Sequence, residues 1–402
     1  MSRVKRCAPV GNGGFVLLIT VTIAVGQLGV SLYLPAMPAI GDDLNVSPSW
    51  MAMTLAVYFA GFAFFTLLTG PFSDAFGRRF VMLRGLEVYA AGTFLCAVAT
   101  DITLLLFGRF LQAFGASVAP VVGKAVVQDI SREERTVILM GWLGAAMSIT
   151  PAVAPFIGGI IVQYLEWRWI FWLLLIFNVL IWSINFFVLS ETLSASPSRS
   201  MQLTSLFKTY KEFLGNRFYT GYVLLLGACF GGLGAFYTAS PYVFIHGFRL
   251  SPFWYGLVTL IIVVGFIAGN LSMGLLTGSR WFHRTLSIGG FIMLAGALGM
   301  FFILPQAFFM IATVVAITLI YALGFGVIYP MATKEALGCY VDRAGAAAAL
   351  LGFVQRGGSA LCSAAVAFCI SLSMSSYNAM ALIMFFCAVF VMVNIRRVQR
   401  GL

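Results

Sequence analysis

The stretch Gly70-Pro71-Phe72-Ser73-Asp74-Ala75-Phe76-Gly77-Arg78-Arg79 decides how this chain folds. It is the most polar segment of a long apolar region, with hydrophobic runs at residues 51–69 and 80–99 on either side. Two apolar runs of about 20 residues, joined by so short a polar segment, predict a transmembrane hairpin whose turn lies at one membrane face. Gly70 is expected to let two backbones approach closely and Gly77 to permit a sharp turn. Asp74 lies within reach of Arg78 or Arg79.

The composition extends that reading to the whole chain. The 402 residues are 61% hydrophobic and only 9% charged, against about 25% charged in soluble domains. Mean hydropathy is +0.99. Such a chain is solvated mostly by lipid. Its apolar runs are continuous and do not alternate, which excludes a β-barrel. Twelve runs are long enough to span as helices, which leaves no room for a soluble domain. The expected fold is all-α, with twelve transmembrane helices.

The net charge of +11 does not indicate nucleic acid, because of where the charges fall. Arg84, Arg109, Lys124 and Arg356 lie inside apolar runs, and Arg168 and Arg249 lie in outer loops. The remaining eighteen of the 24 basic residues occupy every second gap or a terminus. That asymmetry predicts cytoplasmic termini on both sides of the chain. The basic start, residues 1–6, precedes an apolar run at 15–34 that is too long for a signal-peptide core and is expected to remain as the first helix. Seven cysteines, Cys7, Cys96, Cys229, Cys339, Cys362, Cys369 and Cys387, lie mostly in apolar runs without a C-x-x-C pair. They read as packing residues, and neither a metal nor a cofactor is expected.

The longest polar stretch, 194–217, is rich in serine and carries Arg199, Lys208, Lys211 and Arg217. It reads as a cytoplasmic linker with a short amphipathic helix at 203–213. It divides the chain into a first six-helix half, 1–193, and a second, 218–402. A weak repeat supports the division. Gly274-Leu-Leu-Thr-Gly278-Ser-Arg280 stands between helices 8 and 9, where Gly70 to Arg79 stands between helices 2 and 3. Parallel repeats of this kind place a substrate site at their interface near the bilayer midplane.

The pattern G-x-x-x-D-x-x-G-R-R resembles the loop between helices 2 and 3 of the major facilitator superfamily, where it stabilises one of two access states. Arg109-Phe-Leu-Gln112-Ala-Phe-Gly115-Ala116 resembles the helix-4 motif of the drug/proton antiporters in that superfamily. Pro151-Ala-Val-Ala154-Pro155-Phe-Ile-Gly158-Gly159 resembles their helix-5 motif, with Ala154 where glycine is usual. Ser31-Leu-Tyr-Leu-Pro35-Ala-Met-Pro38 and Trp167-Arg168-Trp-Ile-Phe171-Trp172 look like the Bcr/CflA branch. Val25-Gly26-Gln27 and Tyr329-Pro330-Met-Ala-Thr333 look like its EmrD-type exporters. The resemblance spans essentially the whole chain. It implies a monomeric efflux pump of the bacterial inner membrane, moving small, often amphipathic molecules against proton influx.

Charges inside a span cost about 2.5–3.5 kcal/mol on insertion scales, so each needs a reason. Arg109 is either a structural donor to helix carbonyls or a cavity residue, with Gln112 on the same face. Arg356 follows Gln355 among glycines in helix 11 and is expected at a cavity or at the interface of the halves. Glu87 is the lone carboxylate inside a span. It either pairs with Arg84 three residues earlier or carries a proton. Gln27, Ser31, Trp142, Met147, Phe236, Tyr237, Tyr321 and Tyr329 complete a set fit to line an amphipathic site. Pro151 and Pro155 are expected to kink helix 5, and Gly158 and Gly159 to allow close packing.

In one respect the sequence departs from its relatives. The Bcr/CflA pattern usually carries an acid where Ser31 stands, and Tyr237 replaces a glutamate of the EmrD type. A hydroxyl does not ionise near neutral pH. Coupling then falls to Glu87, to the substrate's own charge, or to no ion at all. The cations at 109, 124 and 356 leave open a carrier for an anionic metabolite or chelator. A polytopic membrane enzyme would need a polar cluster near one face, and none stands out. A nucleotide-driven pump lacks its G-x-x-x-x-G-K-[ST] loop.

The topology is directly testable. In a Ser198→Cys variant, the new thiol is expected to resist an impermeant reagent in intact cells and to react in everted vesicles. Labelling from outside would overturn every loop assignment.

Overall fold

A computed structural model describes residues 13–130, 133–193, 203–276, 284–302, 310–340 and 343–399. Trp142 and Met147, although within a helix, have side chains outside the described residues. The described backbone is helical, with no strand among the described residues. Lipid offers a backbone no hydrogen bonds, so a spanning chain must satisfy its own.

Among the described residues, twelve long helices carry the fold. The first six are α1 Gly13–Ser31, α2 Pro48–Phe76, α3 Arg78–Ala97, α4 Ile102–Ile130, α5 Glu133–Tyr164 and α6 Arg168–Val188. The second six are α7 Arg217–Pro241, α8 Pro252–Leu276, α9 Thr285–Phe302, α10 Met310–Gly338, α11 Ala344–Ser371 and α12 Ser376–Gln399. Between the sets lies a linker helix, Leu203–Gly215. It confirms the amphipathic segment expected at 203–213 and runs two residues further. α1 ends at Ser31 and is followed by a 3-10 turn that contains Pro35, Leu34–Ala36, and a short helix that contains Pro38, Met37–Asp43.

Two local expectations need correction. The polar stretch is not a loop: α2 continues through Pro71 to Phe76, and α3 starts at Arg78. The whole turn is Gly77, whose φ of +98° is open to glycine and strained for other residues. Gly70 holds no close backbone approach, since an added Cβ would meet only Val121 Cγ1 at 4.0 Å. Asp129 belongs to the last turn of α4. Most of the repeat at 274–280 lies outside the described residues.

Within the first set, α3 and α4 approach through glycines. A Cβ on Gly92 would collide with the Gln112 backbone nitrogen, and one on Gly115 with Gly85 O and Tyr89 N. Helices in lipid gain nothing from burying apolar surface against one another, so small residues that admit close contact decide such pairs.

Between the sets, α2 packs along α11, and α5 packs along α8. The end of the molecule away from Arg78 is closed. There Gly159 of α5 presses on Pro252 O, and a Cβ on Gly256 would lie 2.6 Å from Phe156 Cα. The rings of Phe156 and Phe253 are 5.2 Å apart. Tyr242 donates to Met37 O at 3.2 Å, and His246 Nε2 lies 3.5 Å from Asp42 Oδ2. By contrast, α1 and α4 do not pack along α7 and α10. Toward the face bearing Arg78, the Lys124 side chain of α4 is exposed.

The linker helix spans both sets at that basic face. Phe213 is fully buried, 4.0 Å from the Tyr340 ring and 5.7 Å from that of Tyr219. Glu212 pairs with Arg343 at 2.9 Å. Tyr210 reaches back to donate to Leu67 O of α2 at 3.2 Å. Burial pushes the Tyr210 hydroxyl up to about 12, so it remains a protonated donor at neutral pH.

The glycine contacts predict opposite signs at two sites. Gly115→Ala should destabilise the α3–α4 pair by about 1–3 kcal/mol through overpacking. Gly345→Ala, with no atom within 4 Å of the new Cβ, should be neutral or stabilising. Melting temperatures in one detergent decide the matter, and an unchanged Gly115→Ala protein would contradict the packing.

Candidate functional site

Three groups of residues carry charge or polarity where lipid alone would not support it. The first surrounds Arg78, at the turn between α2 and α3. Its guanidinium meets Asp74 one turn back, Ser73 Oγ, and Asp129 Oδ2 of α4 at 3.2 Å. Glu191, just beyond α6, accepts from the backbone nitrogens of Arg78 and Arg79 at 3.0 and 3.2 Å. A carboxylate there satisfies free N–H groups of α3 and faces the positive end of its dipole. Gly77 makes this possible, because a Cβ at that position would strike Glu191. Arg79 donates to Leu189 O and Phe186 O, both at 2.6 Å. Thr192 Oγ1 closes the ring on Asp129 at 3.1 Å. Asp74, Gly77, Arg78 and Arg79 are therefore brought together, joined by Asp129 and Glu191. Nothing in the sequence pairs Asp129 or Glu191 with Arg78, since they stand 51 and 113 residues away in the chain.

The second group is centred on Arg109 of α4, which is wholly buried. Its Nη1 donates to Gly29 O of α1 at 2.8 Å and to Gln112 Oε1 at 2.5 Å. Gln112 in turn donates to Thr93 Oγ1 of α3 at 2.9 Å. The rings of Tyr33 and Tyr58 lie 4.3 and 4.2 Å from the guanidinium carbon. Tyr33 is held by Thr54 at 2.7 Å, and Tyr58 donates to Gly26 O at 2.9 Å. A desolvated cation between aromatic faces gains on the order of 2 kcal/mol per face. Nε and Nη2 of Arg109 have no partner. Neither tyrosine had been singled out in the sequence as a partner for this arginine.

The third group lies between the two helix sets. Arg356 of α11 is half-buried. Its guanidinium carbon stands 4.9 Å from the Phe62 ring of α2 and 5.8 Å from the Phe230 ring of α7. Tyr58, Tyr237 and Tyr329 are within electrostatic reach of it. Phe230, Phe266 and Phe325 ring Tyr329 at 5.8–6.1 Å. No carboxylate among the described residues pairs with Arg356. Gln27, Tyr237, Tyr329 and Gln355 are also half-buried. Their polar ends are not among the buried atoms left without a partner. Ser31, Phe236 and Tyr321 are instead buried in helix packing in this state.

The remaining candidates lie elsewhere. Glu87 pairs with Arg84 at 2.6 Å and accepts from Trp182 Nε1 of α6 at 3.2 Å. Arg84 is 64% exposed, which places the pair on the outer flank of α3, at a cleft of about 330 Å³ against α6. Pro151 and Pro155 lie inside α5. Gly158 presses on Leu32 O, just beyond α1, as Gly159 does on Pro252 O, so both glycines serve close packing.

Comparison with known proteins places this architecture. The model of a family described as Major Facilitator Superfamily matches residues 19–363. An MFS-type transporter of Bacillus subtilis, YdgK, is 29% identical over 342 residues, 84% of each chain. The multidrug resistance protein MdtL of Escherichia coli O139:H28 is 30% identical over 336 residues, 83% of each chain. Among solved structures, a bacterial homologue of the lysosomal transporter Spinster, inward-facing and unoccupied, superposes with a TM-score of 0.75. It shares 13% identity over 99% of both chains. The human organic anion transporter MFSD10 superposes at 0.67, with 17% identity over 96% of this chain and 98% of that one.

The Arg78 cluster yields a test. Charge-assisted hydrogen bonds contribute about 1.5–3 kcal/mol, so Asp74→Asn and Glu191→Gln should each slow turnover about tenfold or more. Substrate affinity should stay nearly constant, because neither residue lines the interior space. Normal transport by both well-expressed variants would reduce the cluster to a topology signal.

Proposed function

The chain belongs to the major facilitator superfamily, and from that premise we propose an exporter of small, largely apolar compounds that carry no positive charge. It is a multi-pass membrane transporter and not an enzyme. The observation that carries the proposal is Arg356: a cation on the interior space, flanked by aromatic rings, with no carboxylate beside it. An unpaired guanidinium in low dielectric repels a lipophilic cation and is compensated by an anion. The aromatic wall suits the apolar body of such a ligand. MdtL, a multidrug resistance protein by name, supports a broad substrate range.

In this reading the two six-helix sets, 1–193 and 218–402, rock about that space, with 194–217 as their link. The excess of basic residues supports an inner-membrane orientation with that face, and both termini, in the cytoplasm. Closure at the far end then corresponds to the state that loads from the cytoplasm. One chain encloses the space, so the monomer is the working unit. Glu87, fastened to Arg84 and Trp182 on the outer flank, is not the coupling acid. An anion leaving a negative interior is driven by its own charge, worth about 2.3 kcal/mol per 100 mV.

Two dyes with the same aromatic body, one a carboxylate and one a quaternary ammonium, test this in everted vesicles. The carboxylate should be transported and the quaternary dye should not. Arg356→Gln should slow the carboxylate roughly ten- to hundredfold, the value of a charge-assisted pair. Glu87→Gln should leave it unchanged. Transport of the quaternary dye driven by a pH gradient and abolished in Glu87→Gln would overturn the proposal.

A further inference from the structure

Outside the charged groups already described, two cysteines meet inside the second set. Cys362 of α11 and Cys387 of α12 have their sulfurs 3.5 Å apart. They are the one pair of thiols recorded in contact among the described residues. Cys96 and Cys339 instead point at the backbone oxygens of Leu105 and Glu335. The pair owes its space to Gly231 of α7, where a Cβ would lie 2.7 Å from Cys362 Sγ and 3.4 Å from Cys387 Sγ. Cys387 is buried, while Cys362 is half-buried and reachable.

Two thiols so placed suit one soft atom. A thiophilic centre bound to two sulfurs at about 2.3 Å, with an angle between 90 and 110°, holds them roughly 3.3–3.8 Å apart. We propose that Cys362 and Cys387 form a dithiol site within the bilayer for bidentate thiophilic ligands of the trivalent organoarsenical class. The reaction balances without an oxidant. Two S–H bonds and the arsenic–oxygen double bond break, and two arsenic–sulfur bonds form. The two protons leave with the oxygen as water.

Occupancy has a mechanical consequence. α11 carries Arg356 and packs along α2, whereas α12 packs on α7 and α9. Cys362 lies six residues beyond Arg356, about 9 Å along the same helix. The adduct therefore ties the helix that bears the interior cation to one at the periphery, and any shift of α11 past α12 that accompanies the rocking of the two sets is lost. This second step rests on the transport cycle proposed above; the adduct itself does not.

Phenylarsine oxide is the probe, applied to the full chain in lipid nanodiscs and read by intact mass. One adduct is expected that survives excess monothiol and is removed by 2,3-dimercaptopropanol. Cys362→Ala and Cys387→Ala should each abolish it, and Cys369→Ala, on the same helix, should retain it. An adduct that persists in either of the first two variants, or that yields to monothiol, overturns the site. In vesicles the reagent should inhibit the parent chain and spare both variants. Full transport by the fully modified parent would overturn the pinning of α11.

Discussion

A cation inside a bilayer must be met by protein groups, and the way this chain meets Arg109 holds four helices together. The guanidinium is clamped between Tyr33, beyond the end of α1, and Tyr58 of α2, and bonded to Gly29 O of α1 and to Gln112 on its own helix. Gln112 passes the link to Thr93 of α3. No acid takes part, so the clamp keeps its positive charge. Removing any one partner would leave a buried charge less compensated, which is why a geometry of this kind is specified rather than approximate. The glycine contacts between α3 and α4 bring Gln112 into place, and the clamp and the close packing depend on each other.

Tyr58 connects this clamp to the interior space. Its ring covers Arg109, and it is also within electrostatic reach of Arg356, across the boundary between the two helix sets. Two arginines of opposite sets thus share one tyrosine. The paired carboxylates lie elsewhere: Asp74, Asp129 and Glu191 surround the α2–α3 turn, Glu87 sits on a flank with Arg84, and Asp42 and Asp43 lie at the far end. Apart from Glu87, these acids serve helix ends and loops, and among the described residues no acid pairs with Arg109 or Arg356. In the proposed reading, that division of charge, more than any single contact, sets what the space can hold.

Much of this was legible in the sequence. Apolar runs of spanning length are a strong signal, and the linker helix announced itself by charge and periodicity. Glu87 and Arg84 stand three apart on one helix, so their pairing followed from helix geometry. What escaped was long-range. The Gly29 acceptor of Arg109 lies 80 residues away in the chain, and the tyrosines that cover it are two among 14. Glu191 reads as an ordinary charge after a helix, and only the fold carries it to the start of α3. The reach of α2 through Pro71 was hidden because polar residues near a membrane face look like a loop whether or not they remain helical.

The central claim is that the interior is positive and that substrate charge, not a carboxylate of the chain, crosses with each cycle. Current recorded from proteoliposomes on a solid support tests it most directly, after a rapid jump in the concentration of an anionic substrate. The account predicts a transient with the sign of the moving anion, of the same size with and without a pH gradient, and strongly reduced in Arg356→Gln. An electroneutral response, or a current that appears only with a pH gradient and carries the sign of proton entry, would contradict it.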